Sequence, residues 1–132
     1  MTIVKARVSL HGFRDTYSCI ALVDTGARMT LIDNVLAERI GVEYTGRVLN
    51  LISISGQVLK ALEAVVPMLR VEDEELKYEA VAVISIPEDV KRVLKQSGLD
   101  ENIVVGLLTL ERAGMVPDTV TGMLRKVEML ML

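Results

Sequence analysis

A chain of 132 residues with 51% apolar side chains, 25% charged ones and a net charge of −3 reads as one globular domain, too short for two full cores. Aromatic residues make up only 3%, so the core must be built from Val, Leu, Ile and Met, and neither a basic footprint nor stacking rings point to nucleic acid. The longest apolar stretches fall short of a membrane span, no secretory leader opens the chain, and the lone Cys19 offers no intrachain disulfide, so a cytoplasmic protein is expected.

Ile3 to Leu10 alternates, with Val4, Ala6 and Val8 on one face and Ile3, Lys5 and Arg7 on the other, the period of a half-exposed strand. "HGFRDT" supplies a turn, and Tyr17 to Val23 returns as the second strand of a hairpin. From Asn34 to Ile40 the pattern changes to helical spacing through Val35, Leu36 and Ile40, with Asp33 or Asn34 as N-cap and Gly41 as the stop. Arg47 to Ala64 reads as two strands around "SISGQ", with Gly56 at the tip. Val65 to Val71 and Leu76 to Ile84 read as another hairpin whose turn is solvated by Glu72, Asp73, Glu74 and Glu75.

Ser85 and Glu88 have capping-box spacing ahead of a helix with Val90, Val93 and Leu94 on its apolar face and Gly98 at its end. "NIVVGLLTLERAG" then predicts an apolar strand ending at Gly106 and a short helix ending at Gly114. "TLERAG" echoes the earlier "LAERIG", which is either coincidence in a Leu-rich chain or an internal repeat of strand, loop and helix. "PDTVTG" reads as a turn, and the apolar tail from Met129 to Leu132 suggests a partner chain.

Asp24 ends the apolar run "IALV" and is followed at once by Thr25 and Gly26. A carboxylate so placed is expected to be buried, which is costly unless it meets a partner; the alternative is an Asx-type turn joining strand to helix. "VDTGA" after an apolar strand, a Gly-tipped hairpin midway and "VVG" before a C-terminal helix, in that order, resemble the retroviral-type (retropepsin-like) aspartic proteases, most closely their small prokaryotic members. The resemblance runs from about Val4 to Leu132 and implies a mainly β, closed acid-protease barrel with two or three short helices, forming a single domain over residues 1–132.

It also implies an aspartic endopeptidase. Two carboxylates sharing one proton activate a water and polarise the scissile carbonyl, and, as is known for aspartic proteases in general, like charges so close do not both ionise. One chain offers a single Asp-Thr-Gly, so the second Asp24 must come from another copy across a two-fold axis, which makes the homodimer the enzyme. Thr25 then ties the two loops together, Gly26 makes room for substrate backbone and offers its carbonyl, and Ala27 keeps the cleft wall small. Ile52, Ser53, Ile54, Ser55 and Gly56 form the flap over an extended peptide, while Leu31, Val104 and Val105 line apolar side-chain pockets. The terminal strands build an interchain sheet, and no metal or cofactor is needed.

Two positions depart from the retroviral pattern. An acidic residue usually follows "DTGA" and an Arg follows the later glycine, pairing within the subunit; here these are Arg28 and Leu107. Arg28 is read as a solvated residue at the cleft rim, the alternatives being attraction of an acidic substrate group or, if it approaches the dyad, a lowered dyad pKa. His11 has no second His for a zinc site or a Ser-His relay, and Cys19 is read as a small buried residue, a Cys19–His11 pair being the weaker alternative. The rival from another class is a catalytically silent dimeric peptide-binding or scaffold module on the same fold.

Overall fold

The computed structural model describes residues 3–52 and 56–127; Ser53, Ile54 and Ser55 of the expected flap and the apolar tail from Met129 to Leu132 lie outside the described residues. Strands β1 (Lys5–His11) and β2 (Thr16–Val23) form the expected hairpin, in register from Lys5 opposite Leu22 to His11 opposite Thr16. Alternation puts Val4, Ala6, Val8 and Leu10 inside. The "HGFRDT" turn starts one residue later than expected, because His11 still pairs with both Thr16 and Met68.

β3 (Leu31–Asp33) leads without a break into α1 (Asn34–Ile40). Asp33 is the N-cap, its carboxylate accepting from the Val35 N–H at 3.2 Å, and Gly41 ends the helix at φ +79°, a conformation that glycine adopts without strain. Leu36, Ala37 and Ile40 face the core, whereas Val35 is exposed.

β4 (Glu43–Ile52) and β5 (Val58–Val71) make the long flap hairpin, with Gly56 in the left-handed region near its tip. Local pattern splits β5 into two strands at Ala64. It is one strand of 14 residues, because its first half pairs with β4 and its second with β1, while β6 (Glu74–Ile84) runs along most of its length. Those are long-range partners that no local pattern announces.

Strands β1, β2, β7 (Ile103–Val105), β3, β6 and β5 are hydrogen-bonded in that order, and the pairing of β5 back to β1 closes them into a barrel. Inside lie Leu10, Ile32, Leu69, Val81, Ile103 and Val105. β7 continues through Gly106 into α3 (Leu107–Ala113), which stops at Gly114 in the left-handed conformation. The two sequence echoes thus have one structure: a short strand, then a helix of seven residues, then a glycine of positive φ. β8 (Met115–Asp118) and β9 (Met123–Lys126) form a separate hairpin around "PDTVTG", whose turn is held by Asp118 accepting from the Val120 N–H.

Helix α2 (Glu88–Gln96) corrects one expectation. Its N-cap is Pro87 and not Ser85, and no capping box forms. Ile86 is buried and its N–H donates to the Asp33 carboxylate at 3.0 Å, which holds Ser85 and Ile86 out of the helix. Of the expected apolar face only Leu94 is buried; Val90 and Val93 are exposed.

Candidate active site

The Asp24 loop fills the space between the end of β2 and the start of β3 and is latched to the β7–α3 junction. The Asp24 N–H donates to the Val105 carbonyl (2.9 Å), the Leu107 N–H to the Ala27 carbonyl (2.8 Å) and the Leu108 N–H to the Arg28 carbonyl (2.9 Å). A fourth bond runs from the Gly106 N–H to the Thr30 hydroxyl at 3.1 Å. Four successive residues of one segment thus hold the other, so the loop is a rigid platform.

Asp24 itself was expected to be buried. In the single chain it is exposed, as are Thr25, Gly26 and Arg28, because the barrel wall ends at Val23 and the loop stands beyond it. The Asx-type turn does form, with the Gly26 N–H donating to Asp24 Oδ1 at 2.9 Å and the Ala27 N–H to the Asp24 carbonyl at 3.1 Å. That bond fixes one carboxylate oxygen in the loop, while the residue remains open to solvent. A Cβ added at Gly26 would lie 3.1 Å from Asp24 Oδ1, so a side chain there would crowd the carboxylate.

The three expected pocket residues take different places. Ile103 and Val105 point into the barrel core and Val104 points outward, buried against Leu94 and Leu99, since neighbours on a strand alternate faces. Leu31 is half-buried and belongs to two apolar clusters outside the barrel, one with Met29, Leu49, Leu51 and Ile86 and one with Leu94, Leu99 and Val104. Ile52 stands exposed at the flap end of β4, paired with Val58.

A family model for aspartyl proteases matches residues 6–111, most of the chain. The chain belongs to that family. Among solved structures it is similar to the retroviral protease-like domain of Ddi1 from Leishmania major, with a TM-score of 0.58 and 17% identity, covering 98% of this chain and 91% of that one. It is also similar to a retropepsin-like aspartic protease from Rickettsia conorii, with a TM-score of 0.55 and 19% identity over 88% of this chain and 84% of that one. At these identities the likeness is one of fold, and it agrees with the closed barrel. No curated protein matches.

The ion pair usual beside this loop in retroviral members of the family is absent, as Arg28 and Leu107 anticipated. Arg28 is exposed and has no ion-pair partner among the described residues. A buried chain of hydrogen bonds, not anticipated from the sequence, braces the same place. The Thr109 hydroxyl donates to Glu79 Oε2 (2.7 Å), which leaves the Thr30 hydroxyl to donate to Thr109 (2.6 Å) while accepting from the Gly106 N–H. Arg112 closes the chain on Glu79 Oε1 at 2.8 Å. Glu79, Thr30 and Thr109 are all buried. The only sequence signal was a glutamate at an inward position of a strand, legible once β6 is known to be interior.

Thr109→Val keeps the shape and removes the hydroxyl, leaving Thr30 without its acceptor and Glu79 short of a donor. The expected cost is ~2 kcal/mol of stability, read from a urea midpoint that shifts at constant slope. A loss under ~0.5 kcal/mol would show that the chain of bonds contributes nothing net.

Cys19 sits opposite Val8 and three rungs of the β1–β2 ladder from His11, which pairs with Thr16, so no Cys–His pair forms. Burial first, then the Asp100 charge, pushes its thiol up to about 12 from the ordinary 9.0. Tyr17, which donates to the Asp100 carboxylate, is likewise raised to about 12, chiefly by burial. Both groups bind their protons more tightly folded than unfolded. Their contribution is therefore fully present below pH ~9 and disappears as pH rises towards ~12. Thermal melts at pH 8 and pH 11 should show the fall, and Cys19→Ser should lessen it. Native Cys19 should resist alkylation at pH 8 and react at once after denaturation.

Among the described residues no helix is long and apolar enough to cross a membrane, and no group of three or more His, Cys, Asp or Glu side chains could hold a metal ion.

Proposed function

We propose that this chain is a homodimeric aspartic endopeptidase of the cytoplasm, a single catalytic domain whose site is made from the Asp24 loops of two copies. The observation that carries the reading is a rigidly latched Asp-Thr-Gly loop with its carboxylate open to solvent in one chain. Two open grooves among the described residues lie elsewhere, one beside α1 near Val35, Tyr44 and Leu62 and one beside Arg7, Cys19 and Arg70. A two-fold axis through the loop brings a second copy over Asp24 and supplies the second carboxylate.

In the dimer one Asp24 carboxylate is ionised and the other protonated. The first takes a proton from a water as its oxygen attacks the scissile carbonyl carbon, while the second donates its proton to the carbonyl oxygen. The tetrahedral diol then breaks its C–N bond: one hydroxyl proton returns to the second carboxylate, and the proton held by the first passes to the leaving nitrogen. Thr25 fixes the two loops to each other, and Gly26 and Ala27 leave room for the peptide backbone. The flap, from Ile52 to Gly56, closes over an extended substrate and adds strand-like hydrogen bonds. Leu31 offers an apolar wall with Val104 packed beside it and Val105 in the core behind the strand, and Arg28 stands solvated at the rim.

Sedimentation over a range of concentrations, paired with digestion of a random peptide library from acidic to neutral pH, tests this directly. A dimer that cuts beside apolar residues is the expected result. A dimer that holds peptides without cutting them would make the protein a binding module, and a monomer at every practical concentration would remove the second carboxylate.

A further inference from the structure

We infer that α2 is a wall of the substrate cleft and that Val90 and Val93 select the substrate side chain that packs against it, an inference that rests on the peptidase reading. The helix lies across the outer face of the strands that carry the Asp24 loop. It starts beside Asp33, which accepts from the Ile86 N–H, and the residues after it end beside β2, where the Asp100 N–H donates to the Ile20 carbonyl at 2.8 Å. Both anchors lie away from the Asp24 loop: Asp33 at the far end of β3, and Ile20 upstream of Asp24 on β2.

The rotation of the helix then decides which flank faces the loop. Each residue turns the side chain by about 100°. Leu94 faces the sheet, packed with Leu99 and Val104 against Leu22 and Leu31. Lys91 reaches the Asp33 carboxylate at 3.3 Å, which fixes its flank as the one turned away from the Asp24 loop. Val93 falls on the opposite flank, with Val90 between it and Leu94.

These two valines are 41% and 60% exposed although they belong to the helix's apolar stripe. The stripe they belong to reaches the proposed pocket wall through Leu94, which shares a cluster with Leu31. Leu31 packs both with the α2 cluster and with Leu49 and Leu51 in the half of β4 towards the flap tip. An extended peptide lying over the loop and beneath the flap therefore meets Val90 and Val93 from the side. Two branched side chains make that subsite shallow and apolar, so it takes a Val- or Leu-sized residue and excludes large aromatic ones.

The test compares wild type, the double variant Val90→Ala with Val93→Ala, and Gln96→Ala on a peptide library. In parallel, valine methyl spectra of the Asp24→Asn protein are recorded during titration with the same peptides. The double variant should raise kcat/KM for aromatic over aliphatic residues at one subsite on the order of tenfold. Gln96→Ala, on the solvent flank, should leave the ratio alone, and the Val90 and Val93 methyl signals should shift when peptide binds. An unchanged ratio in the double variant of an active enzyme overturns the inference and leaves the peptidase reading intact. A wild type that cuts nothing overturns the peptidase reading, and the methyl signals then decide alone: shifts on peptide binding keep the wall, and their absence removes it.

Discussion

Asn in place of Asp24 should abolish peptide cleavage and leave the oligomeric mass unchanged. The substitution is nearly isosteric, and an amide oxygen still accepts the Gly26 N–H that holds the Asp24 side chain in its turn. The latch of backbone bonds from Val105, Leu107 and Leu108 does not involve the side chain at all. What disappears is the group that takes and returns a proton, and its loss should reduce turnover by ~10³-fold or more. Mixing gives a sharper form of the result. If wild-type and Asp24→Asn subunits are exchanged in equal amounts, only dimers with two carboxylates cut, so activity should fall to roughly a quarter. A fall to one half would mean that each chain carries its own site, and the shared dyad would have to be given up.

Gly106→Ala should be among the most damaging single substitutions in the chain. A Cβ at this position would lie 2.3 Å from the Met29 carbonyl carbon, 2.4 Å from its oxygen and 2.8 Å from the Ala27 oxygen. All three are backbone atoms of the Asp24 loop, and the bonds on either side of Gly106 prevent the loop from moving aside. The clash must therefore be relieved by breaking the latch, at an expected cost of at least ~3 kcal/mol, with lost cleavage as a second readout. Gly114→Ala is the control. Gly114 has open space around it and only its left-handed backbone to answer for, so it should cost ~1 kcal/mol. Equal effects at the two sites would show that the loop yields more readily than its bonding implies.

Local physics made much of this protein legible in its sequence. Alternation identified β1 and its inward residues, the strand-to-helix change after Asp33 placed α1 to the residue, and glycines marked the ends of α1 and α3. These are short-range effects of backbone sterics, capping and side-chain period, and each is complete within a few residues. The order of "VDTGA", the Gly-tipped hairpin and "VVG" was enough to indicate the family, because that chemistry demands those residue types in those places.

Tertiary structure alone decided the rest. That β5 is one strand with different partners along its length, and that its return to β1 closes the barrel, depends on pairings between residues far apart in sequence. The missing capping box at Ser85 follows from Asp33 on the neighbouring strand holding the Ile86 N–H, which keeps Ile86 out of the helix. Exposure of Asp24 follows from where the barrel wall stops, and the Glu79, Thr109 and Thr30 chain from β6, α3 and the loop meeting in space. Local sequence dictates what each segment prefers, but burial and partnership are properties of the whole packed chain, and those govern how Asp24 is held and what surrounds it.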